Sequence, residues 1–233
     1  MNYDNIDIIY YINLDSRLDR NDQFLNELKK IDFPSEKVKR ISAIYNEKGA
    51  IGCTSSHIKT LEEFINSSFE NCIIFEDDFD FLVDGDGFKN ILNNLFNSAI
   101  DFDVVCLSTH VKLGECTTYD FLKKIICSNL SSGYLIKKKY AIKHLLNNYI
   151  SSKKLLELEY NQELYSLDQY WTSLQKIHNW YVFYPKVGRQ RESFSDIDKI
   201  IKNINHLENN DLLNLKNYHK MNVTKYYFNK KIN

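Results

Sequence analysis

The chain has 233 residues, enough for one sizeable α/β core, and its 43% hydrophobic and 26% charged content is that of a globular domain. A formal net charge of −1 gives no electrostatic footing for general nucleic-acid or anionic-membrane binding. Two prolines and seven glycines argue against a long flexible linker, and no internal repeat is visible.

Ile6 to Leu14 (IDIIYYINL) is rich in β-branched and aromatic residues and predicts a buried first strand. Asp15 or Ser16 then caps a helix to about Ile31, with Leu18, Phe24, Leu25 and Leu28 on its buried side. Arg17 and Arg20 follow the strand end. Their forked donors suit phosphate or uracil oxygens, but a solvated first helical turn explains them more simply. Val38 to Ile44 predicts a second strand, with Ser42 and Ala43 near its end. Gly49 and Gly52 precede Thr54-Ser55-Ser56, which open a helix through Phe64, and the free N–H groups of a helix start attract anions. His57 and Lys59 fall in that first turn. A lone histidine there is more often a packing or capping residue than a ligand.

Cys72-Ile73-Ile74-Phe75 runs straight into Glu76-Asp77-Asp78, followed by Phe79-Asp80. A short apolar run bounded by polar residues reads as a buried strand. Acids at its C-terminal end lie where open α/β sheets bind ligands. Adjacent carboxylates repel, and a divalent cation relieves them; hard oxygen ligands suit Mg²⁺ or Mn²⁺.

Asp84 to Gly87 predicts a turn, Phe88 to Phe96 a helix, Asp103 to Leu107 a buried strand, and the region around Gly114 a hairpin. Leu130 to Ile136 predicts a strand whose small residues let a ligand approach the backbone. Tyr140 to Tyr149 is an amphipathic helix. Ser166 caps another to about Lys176, which gives Asp168 a plain place in a first helical turn. Trp180 to Tyr184 predicts a strand. Residues 1–210 read as one domain and 211–233 as a basic, aromatic tail, with no acid from Leu212 onward.

The five cysteines, Cys53, Cys72, Cys106, Cys116 and Cys127, form no CxxC pair. They read as mostly buried thiols in a reducing compartment and argue against a structural zinc site. Met1 to Asp4 lacks a basic n-region and an apolar h-region, so no signal peptide is expected. No apolar run reaches membrane-span length. A soluble protein of the cytoplasm or another reducing compartment is the expectation.

Several chemistries place acids at a strand end. A haloacid-dehalogenase-type phosphatase needs Asp-x-Asp-x-Thr/Val, and Asp78-Phe79-Asp80-Phe81 lacks the Thr or Val. A phospho-receiver domain needs an acid pair after its first strand, where Asp15 stands alone. A nucleotide-sugar transferase needs a short acidic signature that bridges Mn²⁺ or Mg²⁺ to a diphosphate, and Glu76-Asp77-Asp78 fits that need. Alone, the triplet is a weak signal, because surface acids after strands are common.

Its neighbourhood strengthens it. Tyr11-Ile12-Asn13-Leu14-Asp15-Ser16-Arg17-Leu18-Asp19-Arg20 resembles the opening of glycosyltransferase family 25, which includes lipooligosaccharide β-galactosyltransferases and procollagen galactosyltransferases. Gly49 to His57 is similar to the family's Gly-x-x-Gly-Cys-x-x-Ser-His segment, and Ile74 to Asp78 to its acidic metal motif. Ser132 to Ile136 resembles its later small-residue strand. Leu167-Asp168 sits where the family carries an acid before a helix, though the usual proline nearby is absent. Gln190 with Ser193, or Ser195-Asp196-Ile197, resembles its Gln…Ser-Asp-Ile ending in either of two registers.

The resemblance implies a GT-A type fold, a Rossmann-like nucleotide half with a mixed central sheet, and an inverting transfer from a UDP-sugar to a hydroxyl of a glycan or protein acceptor. It implies Mn²⁺ or Mg²⁺ on Asp78 with Glu76 assisting, and Asp168 as the base. Donor contacts would come from Asn13, Arg17, Arg20, Ser42, Ala43, His57, Asp77 and Gln190. A nucleotide-sugar- or glycan-binding protein without turnover, and a metal-dependent hydrolase, are the competing readings.

Overall fold

The computed structural model describes residues 3–191 and the strand residues 193–194 and 201–202. The expected residues 211–233 tail, and the Ser195-Asp196-Ile197 register of the ending, lie outside the described residues.

Strand β1 (Ile8–Asn13) is buried at every residue. Helix α1 (Leu18–Lys30) leads to β2 (Val38–Ser42), parallel to β1. Helix α2 (Gly49–Ile65) then returns the chain to β3 (Asn71–Glu76), which pairs parallel with the other side of β1. Because β1 is flanked by strands on both sides, the connections diverge at its C-terminal end, and a crevice opens there. The register keeps the three ends level: Asn13 lies opposite Ser42, and Ile12 opposite Glu76.

The short β4 (Phe79–Phe81) and α3 (Gly85–Asn97) follow. Long strands β5 (Val104–Cys116) and β6 (Leu122–Lys137) form an antiparallel hairpin with several register shifts. Beyond β6 the chain runs through α4 (Lys138–Tyr140), a π-helical turn (Ala141–Leu145) and α5 (Leu146–Leu158). Three one-turn helices come next: α6 (Gln162–Tyr165), α7 (Leu167–Tyr170) and α8 (Thr172–Gln175). Then β7 (Trp180–Phe183) pairs parallel with β5, and β8 (Gly188–Gln190) pairs antiparallel with β4. Strands β9 (Ser193–Phe194) and β10 (Ile201–Lys202) form a two-stranded pair.

The main sheet has the order β2-β1-β3-β6-β5-β7. It is mixed, because β6 is antiparallel to β3, β5 and β7 while the other main-sheet pairings are parallel. The expected α/β class with a mixed central sheet is therefore present. Alternation along the strands builds two cores. Ile9, Tyr11, Ile73 and Phe75 face α1 and α3, while Tyr10, Ile12 and Ile74 face α2 and α5. Among the described residues no helix is long and apolar enough to cross a membrane.

Several local expectations change. Helix α2 begins at Gly49, not Thr54, which places His57 and Lys59 in mid-helix. Its glycines carry the first turn in close: a Cβ on Gly52 would stand 2.7 Å from the Ile44 carbonyl oxygen. Asp84 to Gly87 is no separate turn, since Asp84 caps α3 by accepting from the Gly87 N–H. On α1, Phe24 and Leu28 are buried, but Leu18 is 69% exposed. Neither Asp15 nor Ser16 caps that helix, whose N-cap position is Arg17. The Ser166–Lys176 helix divides into α7 and α8, and Ser166 gives no side-chain cap. Only Cys72 and Cys106 are buried; Cys53 and Cys127 are partly so, Cys116 is exposed, and none is in a disulfide.

Candidate active site

The three acids after β3 have different partners. Glu76 Oε1 accepts from the Ser131 hydroxyl at 2.7 Å and lies 3.3 Å from His57 Nε2. Burial opposes its ionisation, yet the His57 and Ser131 contacts win and its pKa is lowered. Asp77 is buried between Asn13 Nδ2 at 2.8 Å and an Arg20 guanidinium nitrogen at 3.0 Å. Burial raises its pKa in spite of both donors.

Asp78 is the least compensated. Gln190 Nε2 donates to Oδ2 at 3.0 Å, while Oδ1 is buried without a hydrogen-bond partner among the described residues. Burial first, then the charges of Glu76 and Asp77, raise its pKa from 3.8 to about 7. Its carbonyl accepts from the Arg191 N–H at 2.6 Å, so the backbone after β8 closes over the acid.

Arg20 is not the solvated first-turn residue expected of it. It is buried and ion-paired to Asp77. Arg17, three residues earlier, grips Asp19 through two guanidinium contacts of 2.8 and 2.9 Å. Asn13 is a hub at the end of β1, because its Oδ1 also accepts from Arg40 at 2.8 Å and its carbonyl from the Ala43 N–H at 3.0 Å. Ser42 donates to Asp15 at 2.6 Å, and Arg40 reaches the same carboxylate at 2.7 Å. The structure thus brings Asn13, Arg20, Ser42, Ala43 and Asp77 into one polar rim with Arg40 and Asp15. Arg40 had no sequence signal beyond lying on a predicted strand.

His57 is fully buried. Its Nδ1 lies 3.0 Å from the Tyr134 hydroxyl, so it links α2 to β3 and β6. Glycines 133 and 188 have a different use from the ligand approach expected of the small-residue strand. A Cβ on Gly133 would lie 2.6 Å from the Phe79 ring, and one on Gly188 at 1.9 Å. The group that comes close is Phe79, wedged between β6 and β8 one residue past Asp78.

Asp168 reaches the same region from α7. Its Oδ2 accepts from the Leu130 N–H at 3.0 Å and its Oδ1 from Ser166 Oγ at 2.9 Å. Leu130 has φ 72°, a left-handed conformation uncommon for a branched residue, and it immediately precedes Ser131. Trp171 Nε1 and the Gln175 amide bond to Ser128 O, which pins α7 and α8 to β6.

The acids of the strand end do not all share one cluster. Glu76 groups with Cys53 and His57, whose ligand-type atoms lie within 4.8 Å of one another. Sequence reading gave Cys53 no role, although its spacing of four from His57 on a helix was available as a signal.

Solved structures similar to this chain include the A197 protein from STIV, at 13% identity and TM-score 0.47, spanning 85% of this chain and 95% of that one. Glycosyltransferase GlyE of Streptococcus pneumoniae TIGR4 is similar at 8% identity and TM-score 0.46, over 77% of this chain and 45% of that one. A glycosyltransferase involved in glycosylation of the major capsid of PBCV-1 is similar at 10% identity and TM-score 0.45, over 86% and 98%. No curated protein sequence matches. The model of glycosyltransferase family 25 (LPS biosynthesis protein) matches residues 47–156, from the loop before α2 into α5. The segment that carries Cys53, His57, the three acids and the Leu130–Tyr134 stretch is thus the part of the chain that is similar to glycosyltransferase family 25.

Proposed function

We propose that this protein is a metal-dependent, inverting glycosyltransferase that moves a sugar from a UDP-sugar to a hydroxyl of a glycan or protein acceptor. The observation that carries the reading is the buried Oδ1 of Asp78, which has no hydrogen-bond partner among the described residues and follows two other carboxylates at the end of a buried strand. A buried carboxylate oxygen without a donor is costly, and a hard divalent cation is the partner that suits it. Asp78, with Glu76 assisting, would hold Mn²⁺ or Mg²⁺. When bound, the ion would offset the negative charge that builds on the departing diphosphate.

The other residues prepare this end. Arg20 and Asn13 fix Asp77, and so the backbone between the two metal-binding acids. Gln190 orients Asp78 through the oxygen that has a partner. Arg17, Ser42 and Ala43 lie at the ends of β1 and β2, on the nucleotide side of the crevice. Asp168 is the base. Its two donors fix the carboxylate, and each oxygen keeps a lone pair for the acceptor proton. The acceptor oxygen bonds to the anomeric carbon, the anomeric carbon–phosphate oxygen bond breaks with its electrons going to UDP, and the hydroxyl proton passes to Asp168.

The test is UDP release from a panel of UDP-sugars with Mn²⁺, with and without acceptors, repeated with EDTA and with Asp78→Ala. Metal-dependent release from one sugar, lost in the variant and raised by an acceptor, supports transfer. UDP binding with no release supports the binding-protein reading. Release unaffected by any acceptor supports a hydrolase.

A further inference from the structure

Cys53 and His57 stand four residues apart on α2 and so share one face of the helix, over the end of β3. The Cys53 sulfur, a His57 ring nitrogen and a Glu76 carboxylate oxygen all lie within 4.8 Å of one another. Ligand atoms of a tetrahedral zinc site, with bonds of about 2.0–2.3 Å, stand roughly 3.3–3.8 Å apart. His57 Nε2 and Glu76 Oε1 are already at 3.3 Å. The Cys53 sulfur stands close enough for a side-chain rotation to bring it inward to the cation.

We propose that Cys53, His57 and Glu76 form a binding site for a thiophilic divalent cation of the Zn²⁺ class, distinct in chemistry from the hard-cation position at Asp78. A thiolate and an imidazole select Zn²⁺ over Mg²⁺ or Mn²⁺, which favour oxygen. Three protein ligands leave a fourth coordination position for water or a substrate group.

The surroundings of the site suit this use. Metal-bound histidines have their second ring nitrogen hydrogen-bonded. Nδ1 of His57 has the Tyr134 hydroxyl at 3.0 Å, and Tyr134 has the Tyr149 hydroxyl at 3.5 Å. With a cation on Nε2, Nδ1–H donates to Tyr134, whose own proton turns toward Tyr149. Ser131 steadies Glu76 from the other side at 2.7 Å. The Cys53 thiol gives up one proton to solvent as the ion binds.

Glu76 is common to this site and to the transferase reading, but the inference rests on side-chain geometry alone, and its test uses no nucleotide. Co²⁺ is titrated into the full chain under reducing conditions, and the sulfur-to-cobalt charge-transfer band is followed in the near ultraviolet, then displaced with Zn²⁺. One Co²⁺ per chain with a charge-transfer band is expected, retained in Asp78→Asn and absent in Cys53→Ser. Tyr134→Phe weakens Zn²⁺ binding by about 10–100-fold. Absence of the band in the unmutated chain overturns the proposal. So does a band that survives Cys53→Ser and vanishes in Cys116→Ser, since Cys116 is exposed and remote in sequence from the cluster. Circular dichroism confirms that each variant is folded.

Discussion

Three consecutive acids end in three different electrostatic states. Asp77 has a guanidinium and an amide, Glu76 an imidazole and a hydroxyl, and Asp78 a single amide on one oxygen. The sequence makes the triplet visible but not this division, because the deciding partners Arg20, Ser131 and Gln190 are far away along the chain. The consequence for Asp78 has a definite sign. Well below pH 3.8 its proton is held in folded and unfolded chains alike. Between the ordinary value of 3.8 and about 7 the unfolded chain releases it first, so rising pH removes stability. In the metal-free protein, Asp78→Asn is therefore expected to raise stability at pH 8 by on the order of 2–4 kcal/mol. It should have little effect at pH 4. Urea denaturation at both pH values checks it, and equal effects at the two would contradict the assigned environment.

Asp77 differs in having a buried cation as its partner. Arg20 and Asp77 are both buried, and removing one partner leaves an uncompensated charge. Arg20→Met is expected to cost about 3–5 kcal/mol in chemical denaturation at pH 7. A cost below about 1 kcal/mol would mean that the pair behaves as a surface ion pair.

Among the elements, strand identity was largely legible. The β-branched and aromatic run that predicts β1, and the apolar run that predicts β3, are strands of the expected type with ends displaced by one or two residues. Glycine was the poorer guide. Gly49 and Gly52 look like a loop yet open α2, because the helix start packs against the Ile44 carbonyl. Gly133 looks like room for a ligand, yet Phe79 fills it. That contact joins β4, β6 and β8, and no local pattern encodes it. It also gives a prediction: Gly188→Ala would place a methyl 1.9 Å from the Phe79 ring and so disturb the backbone one residue past Asp78. A loss of about 1–3 kcal/mol is expected, partly relieved when Phe79→Leu is added. Additive losses would show that the wedge is not the cause.

At the scale of the molecule, the fold draws distant stretches to one end of the sheet. β1 and β2 supply the polar rim, β3 the acids, β6 the Leu130-Ser131 kink, α7 Asp168, and β8 Gln190. The family match spans the middle of this set, while Asn13, Arg17, Arg20, Ser42, Ala43, Asp168 and Gln190 lie outside residues 47–156. Order along the chain could name these residues, but only the topology brings them together. For Asp168 as base, Asp168→Asn keeps the hydrogen-bond shape and removes the proton acceptor. It is expected to lower kcat for transfer by about 10²–10⁴-fold while leaving UDP binding intact. A matching loss of UDP affinity would assign Asp168 to the scaffold.

In the proposed mechanism Asp78 anchors the cation through which the donor diphosphate binds. Calorimetry of UDP binding with and without Mn²⁺, on the unmutated chain and on Asp78→Asn, tests it most directly. Mn²⁺ is expected to strengthen UDP binding at least tenfold, by about 1.4 kcal/mol, and Asp78→Asn to abolish this gain. UDP affinity that is the same with and without Mn²⁺, or a gain that survives Asp78→Asn, would contradict it.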